Sequence, residues 1–409
     1  MAPAFSPLTT SGSPGSSPPV PWPGEGWGLY VHFPWCVRKC PYCDFNSHAR
    51  RGPLPEAVYL EALLSDLALA VGHHGRRPLA TVFLGGGTPN LFSPETIADL
   101  LAGVRRLLPV AADVEVTLEA NPGADDRARW RAYAEAGVTR LSLGVQSLDD
   151  RALGALGRIH DAAQARRAYT AARSAGFASV NLDLMTGLPG QSAEEAWADL
   201  EALLALAPDH VSWYELTYEA GTPFARRPPP RLGDDERARV LEGGRERLAH
   251  AGYVRYEVSA YARGGRWGRH NLGYWRFADY LGIGAGAHAK ISAREDASPG
   301  ALRVRREERV REPARYLAAA GEDRLATVSE VTGDALASEF FLNAWRLVNG
   351  FDEADLRRST GEDPARWRGS WARAEELGLA RSEGARWRPT PRGLDMLLDL
   401  QGLFLEPLG

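Results

Sequence analysis

Short apolar runs alternate with helical patterns over the first two thirds of the chain. Six runs rich in β-branched and apolar residues predict strands, at Leu29–Phe33, Thr81–Leu84, Val114–Glu119, Arg140–Val145, Val180–Met185 and His210–Leu216. Between the runs, apolar residues recur at helical spacing in segments such as Glu56–Val71, Pro94–Leu107 and Ala193–Ala205. Repeated βα units favour a parallel sheet with right-handed crossovers. Because a closed barrel needs eight units, the pattern predicts an α/β fold with a partial (βα)6 barrel, and Tyr253–Ala260 is a further strand candidate at its edge.

The segments on either side of this alternation have other patterns. Residues 1–26 contain seven Pro, five Ser and four Gly and lack the basic and apolar regions of a signal peptide. We therefore expect a disordered leader, followed by the barrel at residues 27–290. Residues 291–334, which include an Arg-rich stretch at 303–315, are predicted to be a solvated connector.

The last segment, residues 335–409, combines helical patterns with a short hairpin. The predicted helices are Leu336–Leu347, Asp352–Arg358, Trp371–Leu377 and Arg392–Phe404, and the hairpin pairs Ala380–Arg381 with Trp387–Pro389. Helices followed by a hairpin are typical of a winged-helix-like domain. Residues 331–409 contain 13 acidic and 10 basic residues, so we expect a structural or docking role and no nucleic-acid binding.

The composition narrows the class of protein. The 409 residues are 44% hydrophobic and 24% charged, with a formal net charge of −4, which is ordinary for soluble globular domains. No apolar run approaches the roughly 18 residues of a membrane span. We expect a cytoplasmic protein that is a monomer or a weak dimer.

The three cysteines of the chain, Cys36, Cys40 and Cys43, lie within eight residues directly after the first predicted strand. So tight a group cannot be a disulfide framework and indicates a bound metal in a reducing compartment. A zinc site needs a fourth ligand, for which His32 and His48 are the candidates. A [4Fe–4S] cluster on three thiolates leaves one iron open to an exchangeable ligand.

Polar residues and glycines also stand at the ends of the other predicted strands. Gly85-Gly86-Gly87-Thr88-Pro89 follow the second strand, Glu119 ends the third and Gln146 the fourth, Arg158 lies in the next unit, and Asp183 lies in the fifth strand. The carboxyl ends of parallel strands meet at one mouth, where ligands bind. The sequence therefore predicts a ligand site built from several βα units.

The C-x₃-C-x₂-C spacing, with Tyr42 before the last cysteine, resembles the signature of radical S-adenosylmethionine (SAM) proteins. The GGGTP segment is similar to that superfamily's site for the methionine amino group. Further matches, which together resemble the oxygen-independent coproporphyrinogen III oxidase family over residues 27–409, are Glu119-Ala-Asn-Pro, Gly144-Val-Gln-Ser, Leu156-Gly-Arg-Ile-His160, Asn181-Leu-Asp-Leu-Met185 and Gly187-Leu-Pro-Gly-Gln191.

The resemblance implies two cofactors and their ligands. Cys36, Cys40 and Cys43 would hold a [4Fe–4S] cluster whose open iron binds SAM. The SAM pocket implied by the matching positions consists of Tyr30, Tyr42, Gly86, Gly87, Thr88, Glu119, Gln146, Arg158 and Asp183.

Two local features separate the branches of this family. The oxidase carries a fourth cysteine two residues after the third, where this chain has Phe45, and it has more ordered chain before its cluster. Both departures resemble the HemW branch, whose members are regarded as haem chaperones that deliver haem to respiratory proteins at the membrane. The alternative is a coproporphyrinogen oxidase that decarboxylates coproporphyrinogen III to protoporphyrinogen IX, so whether the chain is an enzyme stays open.

A third segment, Arg269-His270-Asn-Leu-Gly-Tyr274-Trp275, resembles a motif of the HemW branch linked to haem. The resemblance implies haem binding by His270, Tyr274 and Trp275, since histidine ligates haem iron and aromatic rings flank a porphyrin. His288 is a second candidate. The alternative, a hydrogen-bonded His270 beside aromatics packed as core, is equally compatible with the sequence.

Overall fold

The computed structural model describes residues 26–123, 127–294 and 302–406, so residues 1–25 of the predicted leader lie outside the described part. The strands up to residue 262 are β1 (Trp27–Phe33), β2 (Trp35–Cys36), β3 (His48–Ala49), β4 (Leu79–Gly86), β5 (Val110–Ala120), β6 (Arg140–Gln146), β7 (Ser179–Thr186), β8 (His210–Glu215), β9 (Val254–Arg255) and β10 (Ala260–Ala262). The helices of this part are α1 (Glu56–His74), α2 (Pro94–Leu107), α3 (Arg127–Ala136), α4 (Asp150–Ala155), α5 (Ala162–Arg173), α6 (Ala193–Leu204), α7 (Pro223–Arg226) and α8 (Asp234–His250), with a 3₁₀ turn at Pro89–Leu91.

The remaining elements form an extension of the sheet and then a small C-terminal unit. The extension contains α9 (Arg269–Trp275), β11 (Tyr280–Ile283), β12 (His288–Arg294), β13 (Leu302–Arg309), α10 (Pro313–Ala318), a 3₁₀ turn at Gly321–Arg324 and β14 (Leu325–Thr332). The C-terminal unit contains α11 (Gly333–Ala344), β15 (Phe351–Asp352), α12 (Glu353–Thr360), a 3₁₀ turn at Pro364–Trp367, α13 (Arg368–Glu376), β16 (Ala380–Glu383), β17 (Arg386–Pro389), α14 (Pro391–Asp395) and α15 (Leu397–Gly402).

One open sheet organises the molecule, with the strand order β14-β13-β12-β11-β1-β4-β5-β6-β7-β8-β10-β9. The seven strands from β11 to β8 run parallel. The six predicted strands are among them, and the predicted partial barrel is confirmed. The seventh parallel strand, β11, was not predicted. At the far edge, the predicted strand Tyr253–Ala260 is replaced by two short antiparallel strands, β9 and β10.

The alternation of side chains along β1 shows how the sheet divides core from site. Leu29, Val31 and Phe33 are fully buried on the outer face, where the ring of Phe33 meets Tyr59 of α1 with centroids 6.2 Å apart. Successive strand residues point to opposite faces, so Tyr30 and His32 face the inside of the barrel. The inner face therefore carries the polar groups, while the outer face packs on the helices.

Local capping explains where several helices begin. Ser192 and Glu195 form a reciprocal capping box at the start of α6, and Asp161 and Gln164 form one at the start of α5. Such boxes satisfy two otherwise unpaired backbone N–H groups. The start of α6 fixes the length of the loop that follows β7 at the mouth of the barrel, and the start of α5 fixes the turn that follows α4.

The prediction of a solvated Arg-rich connector within residues 291–334 is wrong for its central part. Residues 302–309 form β13, which pairs antiparallel with both β12 and β14. Val304, Glu307 and Arg309 are each at most 2% exposed. The Arg-rich composition was misleading because the arginines pair with acids on the same sheet, as Arg309 does with Asp66 and Glu307.

The C-terminal unit has the predicted helices followed by a hairpin, and β15 adds a third strand in the order β15-β17-β16. The predicted last helix, Arg392–Phe404, is in fact two helices, α14 and α15, because Met396 has φ −107° and ψ 44°, outside the helical region. The core of the unit extends onto the large sheet, since Phe277, Leu302 and Val304 belong to the same buried apolar cluster as Phe340 and Trp345.

Candidate functional site

The cysteine loop follows the carboxyl end of β1. Cys36 lies in β2, which pairs with β3, and Cys36, Cys40 and Cys43 are each partly buried free thiols. Thr88 Oγ1 donates to Cys36 Sγ at 3.3 Å, and Ser47 Oγ lies 3.5 Å from Cys43 Sγ. Burial raises the pKa of the Cys36 thiol, and the Thr88 hydrogen bond opposes the rise. Metal binding would remove this cost, because the ligand is the thiolate.

Arg158 connects the cysteine loop to the barrel. Its Nη1 lies 3.8 Å from Cys40 Sγ, while its Nη2 donates to Gly144 O (2.7 Å) and to the side chain of Asn121. Its Nε is buried without a hydrogen-bond partner among the described residues. A guanidinium in this position stabilises negative charge on a thiolate, and it leaves one donor for a ligand.

Glu119 and Gly86 form a cradle where β4 and β5 end. Gly86 N donates to Glu119 Oε2 at 3.0 Å. Burial raises the pKa of the Glu119 carboxyl to about 7, which the Gly86 hydrogen bond opposes and the nearby Asp183 adds to. Gly86 has φ +116°, and a Cβ there would lie 2.5 Å from the His32 ring, so only glycine fits. A buried carboxylate of this kind suits a ligand amino or hydroxyl group.

Gln146 ends β6 in a conformation that is rare for a side-chain-bearing residue, with φ +69°. The ladder with β7 shifts register between Leu143 and Gln146, so the chain bulges as it reaches the mouth. Tyr214 Oη, at the end of β8, donates to Gln146 Oε1 at 2.9 Å. Backbone strain of this kind clusters at ligand sites.

The remaining side chains complete the same pocket. Asn181 Nδ2 and Ser142 Oγ donate to the Asp183 carboxylate at 2.8 and 3.4 Å, and burial raises the pKa of Asp183. Tyr30 stacks on Phe83. The buried Tyr214 phenol interacts electrostatically with Asp183, Tyr42, Arg158 and Glu119. The structure thus brings the predicted pocket residues together around one mouth beside the cysteines.

The histidines proposed as a fourth zinc ligand already have other partners. His32 Nε2 donates to Asn46 O (2.8 Å), and Tyr30 Oη donates to His32 Nδ1 (3.0 Å). Burial lowers the pKa of His32 to about 4. His48 Nε2 lies 3.1 Å from Asn46 Oδ1. Both rings serve to fix Asn46 and the loop, so neither extends the cysteine set.

His270 lies at the opposite end of the barrel from the cysteines. The Glu115 carboxylate accepts from the N–H groups of Arg269 and His270, each at 3.0 Å, and so fixes the start of α9 on the amino half of β5. His270 Nδ1 lies 2.8 Å from Thr81 Oγ1, and its Nε2 lies 2.7 Å from Tyr274 Oη. The ring is 3% exposed, and burial lowers its pKa to about 3. Both ring nitrogens of His270 therefore have hydrogen-bond partners in the structure, and haem binding by this residue stays a prediction.

Tyr274 and Trp275 line a cleft between the sheet and α11, and Tyr274 also lines a second cleft with Thr81 and His270. The wall of the cleft beside α11 also carries the cations Lys290 and Arg306, which pair with Asp279 and Glu339. Arg269 pairs with Asp113 at 3.1 Å, and His288 is largely exposed, 3.8 Å from Glu308. Because both cations of the cleft beside α11 are paired with carboxylates, it is the aromatic rings of the cleft that suit a flat ligand.

Sequence reasoning missed Tyr214, Asn121 and Ser142. The neighbouring site residues were predicted because they lie at the ends of strands. These three residues also lie in or directly after a strand, on the inner face of the sheet. Asn121 stands two residues after Glu119, and Tyr214 stands two residues after Ser212 of the same strand. Strand alternation applied to all six predicted strands would have found them.

Two family profiles match the chain. The Radical SAM superfamily matches residues 30–203, and the HemN C-terminal domain matches residues 331–396. The first contains the three cysteines and every pocket residue up to Asp183. The second coincides with α11 to α14.

Full-length relatives are similar over most of the chain. A protein of Escherichia coli named Heme chaperone HemW is 43% identical over 380 residues, which are 92% of this chain and 97% of that protein. The protein of the same name from Haemophilus influenzae is 41% identical over 381 residues, again 92% and 97%.

Among solved structures, the chain resembles coproporphyrinogen III oxidase (HemN) from Escherichia coli, described as a radical SAM enzyme. The TM-score is 0.77 at 21% identity, with 94% of this chain and 91% of that chain covered. This likeness shows a shared fold. Within the described residues, no helix is long and apolar enough to cross a membrane.

Proposed function

Because the chain belongs to the HemW family of radical SAM proteins, we propose that it is a haem chaperone, which binds haem and passes it to acceptor proteins. The observation that carries this proposal is the 43% identity to the Escherichia coli protein named Heme chaperone HemW, which extends over 97% of that protein. Respiratory proteins at the membrane are the proposed acceptors.

The proposed cofactor set is a [4Fe–4S] cluster on Cys36, Cys40 and Cys43 with SAM in the adjoining pocket. When bound, the cluster supplies an electron that can cleave the SAM sulfonium, which is chemistry of the cofactors rather than of the protein. Two side chains beside the cysteines fit a bound cluster. The Thr88 hydroxyl lies 3.3 Å from Cys36 Sγ, and Arg158 lies beside Cys40. Both donate toward sulfur and so stabilise thiolate charge.

The protein's part is to orient SAM and to exclude water around it. Gly86, Gly87 and Thr88 form the β4 end of the pocket, and Gly87 packs so closely on the chain after β1 that a Cβ there would lie 2.7 Å from Trp35 O. Glu119 and Asp183 offer buried carboxylates to amino and hydroxyl groups. Tyr30, Tyr42 and Gln146 form the walls, with Gln146 oriented by Tyr214.

Haem is proposed to bind at the cleft lined by Tyr274 and Trp275. The two rings offer apolar faces to the macrocycle, and Arg306, whose side chain is 28% exposed, is the proposed partner of a propionate. Arg346 lies 4.2 Å from the Trp275 ring centroid and holds the indole in place. His270 supports this cleft from below through its hydrogen bond to Tyr274.

Anaerobic reconstitution tests the cluster. We expect a brown protein with about four irons and four sulfides per chain, and we expect Cys40→Ala to lose the chromophore because two thiolates do not hold a cubane. Ser47→Ala, a neighbouring change that leaves all three thiols, should retain it. Bound zinc without labile sulfide after this preparation would contradict the cluster.

Haem titration and transfer test the chaperone function. Trp275→Ala should weaken haem binding, followed by the Soret band, about tenfold or more if stacking and the Arg346 contact carry about 1.4 kcal/mol. The matched control is Trp197→Ala, because Trp197 also lies beneath an arginine, Arg247 at 4.5 Å, but outside the cleft. Loaded protein should then pass haem to a haem-depleted respiratory cytochrome.

The same protein, incubated anaerobically with coproporphyrinogen III, SAM and a reductant, separates the two branches of the family. We expect no protoporphyrinogen IX. Its formation would replace the chaperone proposal with the oxidase activity.

A further inference from the structure

A second group of metal-ligating side chains lies where the end of α1 meets β13. His73 and His74 are the last residues of α1, and Glu307 lies in β13. Two strands, β12 and β11, lie between β13 and β1 in the sheet. One ligand atom from each of these three residues lies within 4.8 Å of the other two. Ligands of one metal ion lie closer, roughly 3–4 Å apart at metal–ligand distances of about 2.0–2.2 Å. The three side chains therefore need only small rotations to share an ion.

Each histidine is already paired with a carboxylate. His74 Nε2 lies 3.0 Å from Glu307 Oε1, and His73 Nε2 lies 3.2 Å from Glu322 Oε1 in the 3₁₀ turn 321–324. In such a pair the imidazole proton occupies the place of a metal ion, and moving that proton to the other ring nitrogen frees Nε2 as a ligand. Glu322 is an exposed side chain that can rotate toward the ion, so two imidazoles and two carboxylates are within reach.

The charge balance permits a divalent cation. The Glu307 carboxylate accepts hydrogen bonds from Arg305 at 2.7 Å and Arg309 at 2.8 Å, and it lies 3.0 Å from His74 Nε2. Arg309 also pairs with Asp66 at 3.0 Å. Two guanidinium groups therefore face three carboxylates, those of Asp66, Glu307 and Glu322. The net charge of these five groups is negative, and the two histidines need carry none.

We propose that His73, His74, Glu307 and Glu322 form a binding site for a divalent transition-metal ion of the zinc class. Imidazole and carboxylate ligands select such ions, whereas Mg²⁺ and Ca²⁺ prefer all-oxygen sites. The ion joins the end of α1 to β13 and to the turn 321–324. This role is independent of the proposed haem function and of the cysteine loop.

Cobalt(II) is a suitable probe because its visible spectrum distinguishes sulfur from nitrogen and oxygen ligands. Full-length protein with its cysteine site reconstituted is stripped of loosely held metal and titrated with Co²⁺. We expect one ion per chain with ligand-field bands and no sulfur-to-cobalt band. His73→Gln and Glu322→Gln alter exposed side chains and should each weaken binding at least about tenfold. His250→Gln, an exposed histidine on α8, should leave it unchanged.

Thermal unfolding gives a second measurement. Zn²⁺ should raise the unfolding midpoint of the wild-type protein and of His250→Gln, but not that of His73→Gln, because the ion binds only the folded arrangement. Absence of Co²⁺ binding, a sulfur-to-cobalt band, or equal binding by wild type and His73→Gln would each overturn the proposal.

Discussion

Burial and a single hydrogen bond act in opposite directions on the pKa of the Glu119 carboxyl. Burial disfavours its charged form and is opposed by one backbone hydrogen bond from Gly86, so the pKa of Glu119 rises from 4.5 to about 7. The negative charge of Asp183 acts in the same direction as burial. Near neutral pH the cofactor-free pocket therefore holds this group in a mixture of protonated and ionised forms.

This raised pKa predicts a pH dependence of stability. The pKa of Glu119 is higher in the folded than in the unfolded state. The contribution of the protonated carboxyl to the free energy of unfolding is therefore fully present below pH 4.5 and is lost as the pH rises through about 7. The loss is about 3 kcal/mol over this range, at about 1.4 kcal/mol per pKa unit. Between about pH 5 and about pH 8, the unfolding midpoint of cofactor-free wild type should fall more than that of Glu119→Gln.

Asp113→Asn is the matched control for this measurement, because Asp113 is an exposed acid on the same strand. Its midpoint should change with pH as that of the wild type does. If wild type and Glu119→Gln lose stability in parallel, the carboxyl does not carry the raised pKa.

Among the elements, α9 has its first turn capped by one acidic side chain. Glu115 accepts from the first two N–H groups of the helix, where a carboxylate also interacts favourably with the helix dipole. The helix is seven residues long, too short to be stable alone. The position of His270, Tyr274 and Trp275 therefore depends on Glu115.

Glu115→Ala should release the start of α9. Loss of a cap costs about 0.5–2 kcal/mol, and we expect faster hydrogen exchange of the amides in residues 269–275, measured by mass spectrometry on the intact protein. Asp113→Ala removes only an exposed partner of Arg269 and should change exchange little. Equal exchange in the two variants would contradict the capping role.

Long periodic segments were predictable at the level of elements, whereas short or charge-bearing ones were not. The strands β4 to β8 are rich in apolar and β-branched residues and are separated by segments of helical periodicity, which is the pattern of repeated βα units. The strand β11 has four residues and includes Gly282, where a Cβ would lie 1.8 Å from His288 O. Nothing local marks such a strand, because its pairing with β1 bridges some 250 residues.

The residues of the candidate site also divide into those that the sequence predicts and those whose surroundings it does not reveal. Glu119, Gln146 and Asp183 were predictable because strand order alone brings the carboxyl ends of parallel strands together. The environment of His270 was not, since the sequence motif does not reveal that Thr81 and Tyr274 occupy both ring nitrogens. That distinction depends on where α9 packs, which is set by Glu115 on a distant strand.

At the scale of the whole molecule, the C-terminal unit and the sheet share one apolar cluster. Phe277, Leu302 and Val304 of the sheet side pack with Phe340 and Trp345 of the C-terminal unit. Without that unit, the three sheet-side chains would face water, at a cost of roughly 1.5–3 kcal/mol for each large apolar side chain. The sheet extension and the C-terminal unit are therefore expected to fold as partners.

A chain that ends after Thr332 should have a lower unfolding midpoint than the full chain and should bind a hydrophobic dye such as ANS. Leu398→Ser in the full chain is the control, since Leu398 is 83% exposed and its loss opens no core. A truncated chain that unfolds at the wild-type temperature without dye binding would show that the shared cluster contributes little.

The distribution of the site along the chain has a consequence for biogenesis. The last of the three cysteines is Cys43, whereas the last residue of the pocket is Tyr214. The strand β1 pairs with its second neighbour only when β11, at Tyr280–Ile283, has been made. At about 5–20 residues per second, the ribosome releases the cysteines roughly ten to thirty seconds before Tyr214. During that interval the nascent chain presents three reactive thiols without the arginine, glycines and carboxylates that surround them later. Cofactor insertion thus belongs after translation, and the thiols need protection from stray metal and oxidation until the last parallel strand is in place.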